Sequence, residues 1–194
     1  VEMAGALAEL IHLVLPKDYP RLDLGEVRVV LLEAADSILG AFAPSLREAA
    51  VRSLRRKDVD VRLATGVKEV TTEGVVLAGG SLVAAATVIW TAGVRASDLA
   101  GELGVEVGRQ GRVPVDSELR LAGYEDVWVI GDMAALEQAG ETLPMLIPVA
   151  MQEAKHVARV IAASVENRIP AEFHYRDPGI MATIGRNSAV AQLG

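Results

Sequence analysis

The sequence has no cysteine among its 194 residues. This absence excludes disulfides, thiolate metal sites and a redox-active cysteine pair from the chain. Only three histidines are present, and they are scattered, so the sequence predicts no metal site. No run of about 18 apolar residues occurs, and the sequence therefore predicts no membrane-spanning helix.

Basic and aromatic residues are also scarce. The chain has 19 Lys and Arg residues against 26 Asp and Glu residues, which gives a formal net charge of −7. This acidic balance argues against nucleic acid as a partner. Aromatic residues make up 4% of the chain and hydrophobic residues 51%. A core of Ala, Val and Leu is typical of parallel sheets buried between helices.

The hydrophobic pattern predicts helices alternating with strands. Helices are predicted at residues 1–15, 44–57, 97–103 and 148–165, with a loop at Pro16. Strands are predicted at residues 27–33, 86–90, 111–115, 127–130, 173–177, 180–185 and from 187 onward, and a hairpin region at 59–78. This order predicts half of a doubly wound α/β fold. Because the chain starts within a helix pattern and stops within a strand pattern, we expect a fragment of a longer protein.

The most informative segment is the predicted strand 127–130, which runs into Gly131 and Asp132. Gly131 has no Cβ, so the backbone can approach a ligand closely. Asp132 presents a carboxylate at the carboxyl end of the strand, where open α/β sheets bind ligands. Such a carboxylate can accept hydrogen bonds from sugar hydroxyls. An ordinary turn with a surface Asp is the alternative interpretation.

Glu33 ends the predicted strand 27–33. An acid in this position can bind both hydroxyls of an adenosine ribose. No arginine follows until Arg47, so the sequence favours NAD over NADP, whose 2′-phosphate requires a cation. The alternative interpretation is a charged strand end that faces water.

Residues 127–134 resemble the second flavin-binding motif of the two-dinucleotide-domain flavoprotein oxidoreductases. Residues 1–5 and 173–190 resemble type II NADH dehydrogenases, the single-chain NADH:quinone oxidoreductases, and the resemblance runs through essentially the whole chain. It implies part of a Rossmann-like α/β flavoprotein. Residues 1–94 would form the NAD(H)-binding domain, with a β insertion but without its first strand and Gly loop. Residues 95–168 would form the C-terminal segment of the FAD-binding domain, and 169–194 the start of a C-terminal α+β domain.

The resemblance implies hydride transfer from NADH to FAD and then two-electron reduction of a quinone. The cofactors, FAD and NAD(H), would perform the redox chemistry, so the implied site residues bind rather than act as acids or bases. Around the flavin and quinone they are Gly131 and Asp132 for the ribityl chain, Val149 and Ala150 for the ring edge, and Met151 and Gln152 for the quinone. Many family members read Ala-Gln where this chain has Ile147-Pro148. Gln152 also fits a residue on the helix surface.

On the nicotinamide side, the resemblance implies Glu2, Ala92 and Gly93. Glu2 also suits the first turn of a helix, where acids complement the helix dipole. Ala92 and Gly93 also suit a plain hinge between domains. The family further implies a cytoplasmic protein that contacts the inner face of the membrane peripherally, and a homodimer. The alternatives are a related flavoprotein reductase with a protein, disulfide or other acceptor, and a non-catalytic nucleotide-binding fragment.

Overall fold

A computed structural model describes residues 1–169 and 171–194. Contacts divide the chain into two compact units, here called unit 1 (Val1–Trp90 and Gly179–Gly194) and unit 2 (Thr91–Pro178). The domain limits at residues 94 and 168 rest on the family resemblance and stay a prediction. Across the described residues, no helix is both long enough and apolar enough to cross a membrane.

Unit 1 opens with a continuous helical stretch. It consists of α1 (Glu2–Glu9), a π-helical segment (Leu10–Val14) and α2 (Leu15–Asp18). The predicted loop therefore begins after Asp18 rather than at Pro16, and it continues to β1. Pro16 lies in the first turn of α2, directly after the π-helical segment.

A parallel strand pair joined by a helix forms the centre of unit 1. β1 (Val29–Leu32) pairs with β2 (Val59–Arg62). Parallel strands require a crossover connection, and α3 (Pro44–Arg55) provides it. The predicted strand 27–33 and helix 44–57 are confirmed. The predicted hairpin region is wrong at residues 59–62, because those residues pair in parallel with β1.

Two small antiparallel sheets complete unit 1. One has the order β3 (Val67–Thr71), β4 (Gly74–Leu77), β5 (Leu82–Ala84), and the other pairs β10 (Ile180–Thr183) with β11 (Ala189–Gln192). These sheets confirm the hairpin at residues 67–77 and the last two predicted strands. The buried core of the unit joins α1, α3, both central strands and the β10–β11 hairpin, through Ala4, Ala8, Ile38, Phe42, Ala50, Leu54, Val59, Val61, Ala182, Ile184 and Val190.

The predicted buried strand at residues 86–90 is wrong. These residues, all within the described part of the chain, form no strand, and Trp90 is 63% exposed. An apolar run makes a strand only when a neighbouring strand satisfies its backbone groups. The hydrophobic pattern alone does not indicate whether such a neighbour is present.

Unit 2 has short strands followed by one long helix. Its elements are α4 (Leu99–Glu102), β6 (Val113–Pro114), β7 (Ala134–Ala135), β8 (Glu137–Gln138), β9 (Glu141–Thr142) and α5 (Ile147–Val165). β6 and β7 are parallel, whereas β8 and β9 form an antiparallel hairpin. The predicted helices at 97–103 and 148–165 and the strand at 111–115 are confirmed in position, with ends shifted by a few residues.

The predicted buried strand at residues 127–130 is only an extended segment. Val129 N–H donates to the Leu119 carbonyl at 3.0 Å, and Trp128 forms a single antiparallel bridge with Arg120. Val129 is buried, but Ile130 is exposed. The pairing is too short to make a strand, although it still directs the chain into Gly131.

The predicted strand at residues 173–177 is also wrong. Glutamine side chains, rather than a neighbouring strand, satisfy the backbone of Tyr175 and Arg176 in this extended segment, while Phe173 N–H donates to the Ser117 carbonyl at 2.7 Å. The Gln138 amide accepts from Tyr175 N–H at 2.8 Å and donates to the Tyr175 carbonyl at 3.2 Å. Gln152 makes the same pair of bonds to Arg176. The predicted hairpin across residues 177–179 does not form, because β10 pairs with β11.

Candidate functional site

The candidate site centres on the turn Gly131–Met133 of unit 2. Ile130 enters it in extended conformation, with φ −134° and ψ 164°, and Gly131 reverses the chain with φ +68°. A positive φ favours glycine, because a Cβ is strained in this conformation. The turn leaves Asp132 exposed at the end of the extended segment, so its carboxylate is open to a ligand.

The start of α5 lies against this turn. A Cβ placed on Gly131 would be 3.6 Å from the Ala150 Cβ. The first N–H groups of a helix lack intrahelical partners and carry partial positive charge. Ile147 and Met151 are exposed beside them, at 77% and 55%. A site with partial positive charge next to apolar side chains can bind a flat aromatic ring and stabilise negative charge that develops on it.

Two buried charged side chains hold the ends of the turn. Gly131 N–H donates to Glu153 Oε2 at 2.5 Å. At the other end, Arg112 donates from Nε to the Ala134 carbonyl oxygen at 2.9 Å, and also from Nη2. Glu153 is 0% exposed and Arg112 is 6% exposed.

Burial dominates the electrostatics of both side chains. It raises the pKa of Glu153, while the hydrogen bond from Gly131 and the charge of Arg112 act in the opposite direction. Burial also lowers the pKa of Arg112, against the charges of Glu153 and Asp132. The turn is therefore held by an acid that burial shifts toward its neutral form and by a buried guanidinium.

The sequence-based site prediction includes neither Glu153 nor Arg112. A signal for Glu153 is nevertheless present in the sequence. It lies four residues after Val149 and four before Val157, on the buried stripe of α5. Residues at this spacing share one face of a helix, so an acid there is buried and requires a partner. We find no comparable local signal for Arg112.

The structure groups six predicted site residues around the turn and the first two turns of α5: Gly131, Asp132, Val149, Ala150, Met151 and Gln152. Val149 is 2% exposed and packs in the core of unit 2. Gln152 is occupied by the Arg176 backbone, since its Nε2 donates to the carbonyl at 2.9 Å and its Oε1 accepts from the N–H at 3.1 Å.

Ala92 and Gly93 lie on an exposed stretch near the start of unit 2. Gly93 has φ +98°, and a Cβ placed on it would meet no heavy atom within 4 Å. The backbone at this glycine is therefore open to close approach by another group. The positive φ, rather than crowding, explains why glycine is suited to the position.

Both predicted site residues of unit 1 are hydrogen-bonded acids. Glu33 follows β1, and its Oε1 accepts from Ala35 N–H at 2.9 Å. Glu2 Oε1 accepts from the Thr183 N–H at 2.9 Å and from its hydroxyl at 2.8 Å, which together lower the pKa of Glu2. Glu2 therefore ties the first turn of α1 to β10.

A parallel β–α–β unit and a glycine turn beside a helix N-terminus are typical of dinucleotide-binding α/β proteins. Comparison with known families makes the assignment specific. Residues 1–154 match the family described as pyridine nucleotide-disulphide oxidoreductase, and the chain belongs to this family of oxidoreductases. The predicted α/β fold class is confirmed.

The similar curated proteins are type II NADH:quinone oxidoreductases. The chain is 38% identical to the type II NADH:quinone oxidoreductase Ndh of Mycobacterium tuberculosis, over 100% of this chain and 43% of that protein. It is 33% identical to the type II NADH:quinone oxidoreductase of Staphylococcus haemolyticus, over 98% of this chain and 48% of that protein. The chain thus spans about half the length of these relatives.

Solved structures support the fold. NDH2 from Plasmodium falciparum in complex with NADH superposes with a TM-score of 0.86 at 15% identity, over 100% of this chain and 55% of that one. A ferredoxin reductase from Rhodopseudomonas palustris gives a TM-score of 0.67 at 19% identity, over 80% of this chain and 39% of that one. At such low identity, these similarities establish the fold and not the reaction.

Proposed function

We propose that the protein is an NADH:quinone oxidoreductase that uses FAD. NADH, a proton and a quinone would give NAD⁺ and a quinol, with bound FAD relaying the hydride equivalent as two electrons. The observation that carries this proposal is the 38% identity, along the whole chain, to a type II NADH:quinone oxidoreductase. The domain limits at residues 94 and 168 form part of the proposal.

The residues around the turn fit FAD. The exposed Asp132 carboxylate can accept hydrogen bonds from the ribityl hydroxyls. The N-terminus of α5, beside Gly131, can stabilise negative charge on a reduced flavin ring. The buried Glu153 Oε1 has no hydrogen-bond partner among the described residues, as expected where a polar group borders a ligand site.

The other predicted residues take roles around this group. Val149 and Ala150 would form the protein surface against the edge of the flavin ring. Val149 is buried and would support this surface from the core, whereas Ala150 lies beside Gly131. Met151, which is 55% exposed, would offer an apolar surface to the quinone. Gln152 would border that surface while it holds Arg176.

The nicotinamide nucleotide would be bound by Glu2, Glu33, Ala92 and Gly93. Glu33 would accept hydrogen bonds from the adenosine ribose, and the lack of an arginine between Glu33 and Arg47 in the sequence favours NADH over NADPH. Gly93 would allow the nicotinamide to approach the backbone. Contact with the cytoplasmic face of the membrane and a homodimer remain part of this family-based proposal.

The test is an absorbance spectrum of the protein, purified in the full form that its gene encodes. We expect flavin bands that bleach when NADH is added without oxygen and return when a soluble quinone is added. NADPH should bleach them more slowly. A test variant, Asp132→Ala, removes the carboxylate proposed to bind the ribityl chain and should lose most of the bound flavin.

Each other outcome has a distinct meaning. Bands that bleach with NADH but do not return with quinone would contradict the proposed acceptor. Recovery with ferredoxin or with a disulfide would then identify a related reductase. A protein without flavin bands, even after incubation with FAD, would contradict the role of the Gly131–Asp132 turn.

A further inference from the structure

The turn that carries Asp132 is held at both ends by side chains from distant parts of unit 2. Glu153 on α5 binds the N–H of Gly131, where the chain enters the turn. Arg112, the residue before β6, binds the carbonyl of Ala134, where the chain leaves it. Asp132 lies between these two anchored peptide groups.

Both side chains that hold the turn, Glu153 and Arg112, are buried. Glu153 is 0% exposed and Arg112 is 6% exposed, whereas Asp132 between them is exposed. Burying a charged group is costly unless the group makes strong hydrogen bonds. Both groups direct those bonds to the backbone of the same turn.

Glu153 binds the turn through one oxygen only. Oε2 accepts the Gly131 N–H at 2.5 Å, while Oε1 is buried with no partner among the residues that the structure describes. The charged groups that act on Glu153 are Arg112 and Asp132. Arg112 directs its Nε and Nη2 to the Ala134 carbonyl. The bond that the geometry shows runs from the Gly131 N–H to Oε2, and an uncharged oxygen acceptor at the same position can make it as well.

We infer that Glu153 and Arg112 are positioning residues that hold the Gly131–Ala134 backbone and thereby present the Asp132 carboxylate to the ribityl hydroxyls of FAD. This inference rests on the proposed function for its ligand. Neither residue has to touch the flavin. What matters at Glu153 is an oxygen acceptor at the position of Oε2, and its negative charge is not required.

The test compares two substitutions of similar size at one position. Glu153→Gln keeps an oxygen acceptor for the Gly131 N–H, whereas Glu153→Met removes it and leaves an apolar side chain that is easily buried. Val160→Ala is the matched control, since Val160 is 1% exposed on the same buried face of α5 and makes no bond to the turn. Arg112→Met tests the other end of the turn.

Two readouts are measured on each variant: the dissociation constant for FAD, and hydrogen exchange of the Gly131 amide in the flavin-free protein. We expect Glu153→Met and Arg112→Met to weaken FAD binding by roughly tenfold or more, the effect of losing buried hydrogen bonds to the turn, one made by Glu153 and two made by Arg112. Glu153→Met should also speed exchange at Gly131. Glu153→Gln and Val160→Ala should keep FAD binding within about threefold of the unchanged protein.

Several results would overturn the inference. One is a Glu153→Met variant with unchanged FAD affinity and unchanged Gly131 exchange. Another is a Glu153→Gln variant as weak as Glu153→Met, which would show that the charge is required. A third is a Val160→Ala variant that loses as much FAD affinity as Glu153→Met, which would show that the effect comes from the stability of α5 and not from the bond to the turn. If the unchanged protein binds no FAD, the proposed function fails, while the exchange of Gly131 still tests the role of Glu153 in holding the turn.

Discussion

Glu9 in unit 1 and Glu153 in unit 2 are similar residues whose pKa values shift in opposite directions. Each is a helix glutamate that is nearly buried, at 8% and 0% exposure. Each accepts a backbone N–H from a turn: Glu9 from Arg186 at 2.8 Å, and Glu153 from Gly131 at 2.5 Å. Yet the pKa of Glu9 is lowered, whereas that of Glu153 is raised.

The difference comes from the nearest cation. Lys57 Nζ lies 2.6 Å from Glu9 Oε1, and this hydrogen bond is the main cause of the lowered pKa of Glu9. Arg112 is near Glu153 but donates to the Ala134 carbonyl, so burial prevails and raises the pKa of Glu153. Burial alone therefore does not set the direction in which the pKa of a glutamate shifts, because a directly bonded cation can outweigh it.

The largest effect should come from adding a methyl group to the glycines of the two turns. Gly185 and Gly131 both have positive φ, at +78° and +68°. A Cβ on Gly185 would overlap the carboxylate of Glu9, whereas a Cβ on Gly131 would only touch Ala150. Gly131→Ala should cost about 1–2 kcal/mol of unfolding free energy from backbone strain.

Gly185→Ala should cost more, because it also displaces the Glu9 carboxylate from its partners. Urea unfolding of both variants measures the difference. Gly80→Ala is the control, since Gly80 has φ +84° and open space around it. Equal losses for all three substitutions would mean that the position of the Glu9 carboxylate does not matter for stability.

Removing the cation should make Glu9 resemble Glu153. Lys57→Met leaves Glu9 buried without its ion pair, and the melting temperature should fall by several degrees near neutral pH. The lowered pKa of Glu9 contributes stability above the ordinary value of 4.5, and this stability is lost as pH falls through the folded-state pKa. The difference between variant and unchanged protein should therefore shrink in acid.

Thermal unfolding followed by circular dichroism at several pH values measures this dependence. Arg55→Met is a control for charge removal close by in the chain, because Arg55 is exposed at the end of α3 and Lys57 lies in the turn that follows. If the melting temperatures of Lys57→Met and the unchanged protein differ by the same amount at neutral and acidic pH, the ion-pair explanation is contradicted.

The opposite pH dependence is expected at Glu153. A raised folded-state pKa means that stability falls as pH rises from the ordinary value of 4.5 through the folded-state pKa. Glu153→Gln does not titrate, so its stability relative to the unchanged protein should increase with pH across this range. Urea unfolding at mildly acidic and neutral pH measures the change. A relative stability that decreases with pH would mean that Glu153 is held as a carboxylate.

The smallest effect is expected for exposed ion pairs, which lack the burial that the two glutamates share. Arg95 and Asp98 lie 2.7 Å apart, but their side chains are 72% and 89% exposed. Arg95→Ala should change the unfolding free energy by less than about 0.5 kcal/mol, since solvent screens such pairs. A loss as large as that of Lys57→Met would show that burial is not what makes the Glu9–Lys57 pair important.

The sequence predicted the elements whose signals are local. Val149, Val157 and Val160 repeat at helical spacing after a proline, and α5 forms there. Gly131 was predicted for its missing Cβ at the end of an extended segment, and it adopts a positive φ, which glycine tolerates for the same reason. Both outcomes depend on residues close together in the chain, so periodicity and backbone sterics suffice to predict them.

Strands whose pairing depends on distant segments were predicted less well. Residues 86–90 and 173–177 have strand-like patterns, but a strand also needs a partner for its backbone. For residues 175 and 176, that partner is a pair of glutamine side chains, Gln138 and Gln152. The pattern of apolar residues does not show which donors and acceptors from distant segments will lie beside the backbone of a strand-like segment.

By itself, the sequence determined the family, the α/β class and the exposed carboxylate of Asp132 after its glycine turn. Only the tertiary structure decided which acids are buried and which cation each one meets. Glu9 meets Lys57, which is 48 residues away, and Glu153 meets the turn at Gly131, which is 22 residues away. Because pKa shifts depend on burial and on charges within a few ångströms, they follow from such distant contacts and not from local sequence.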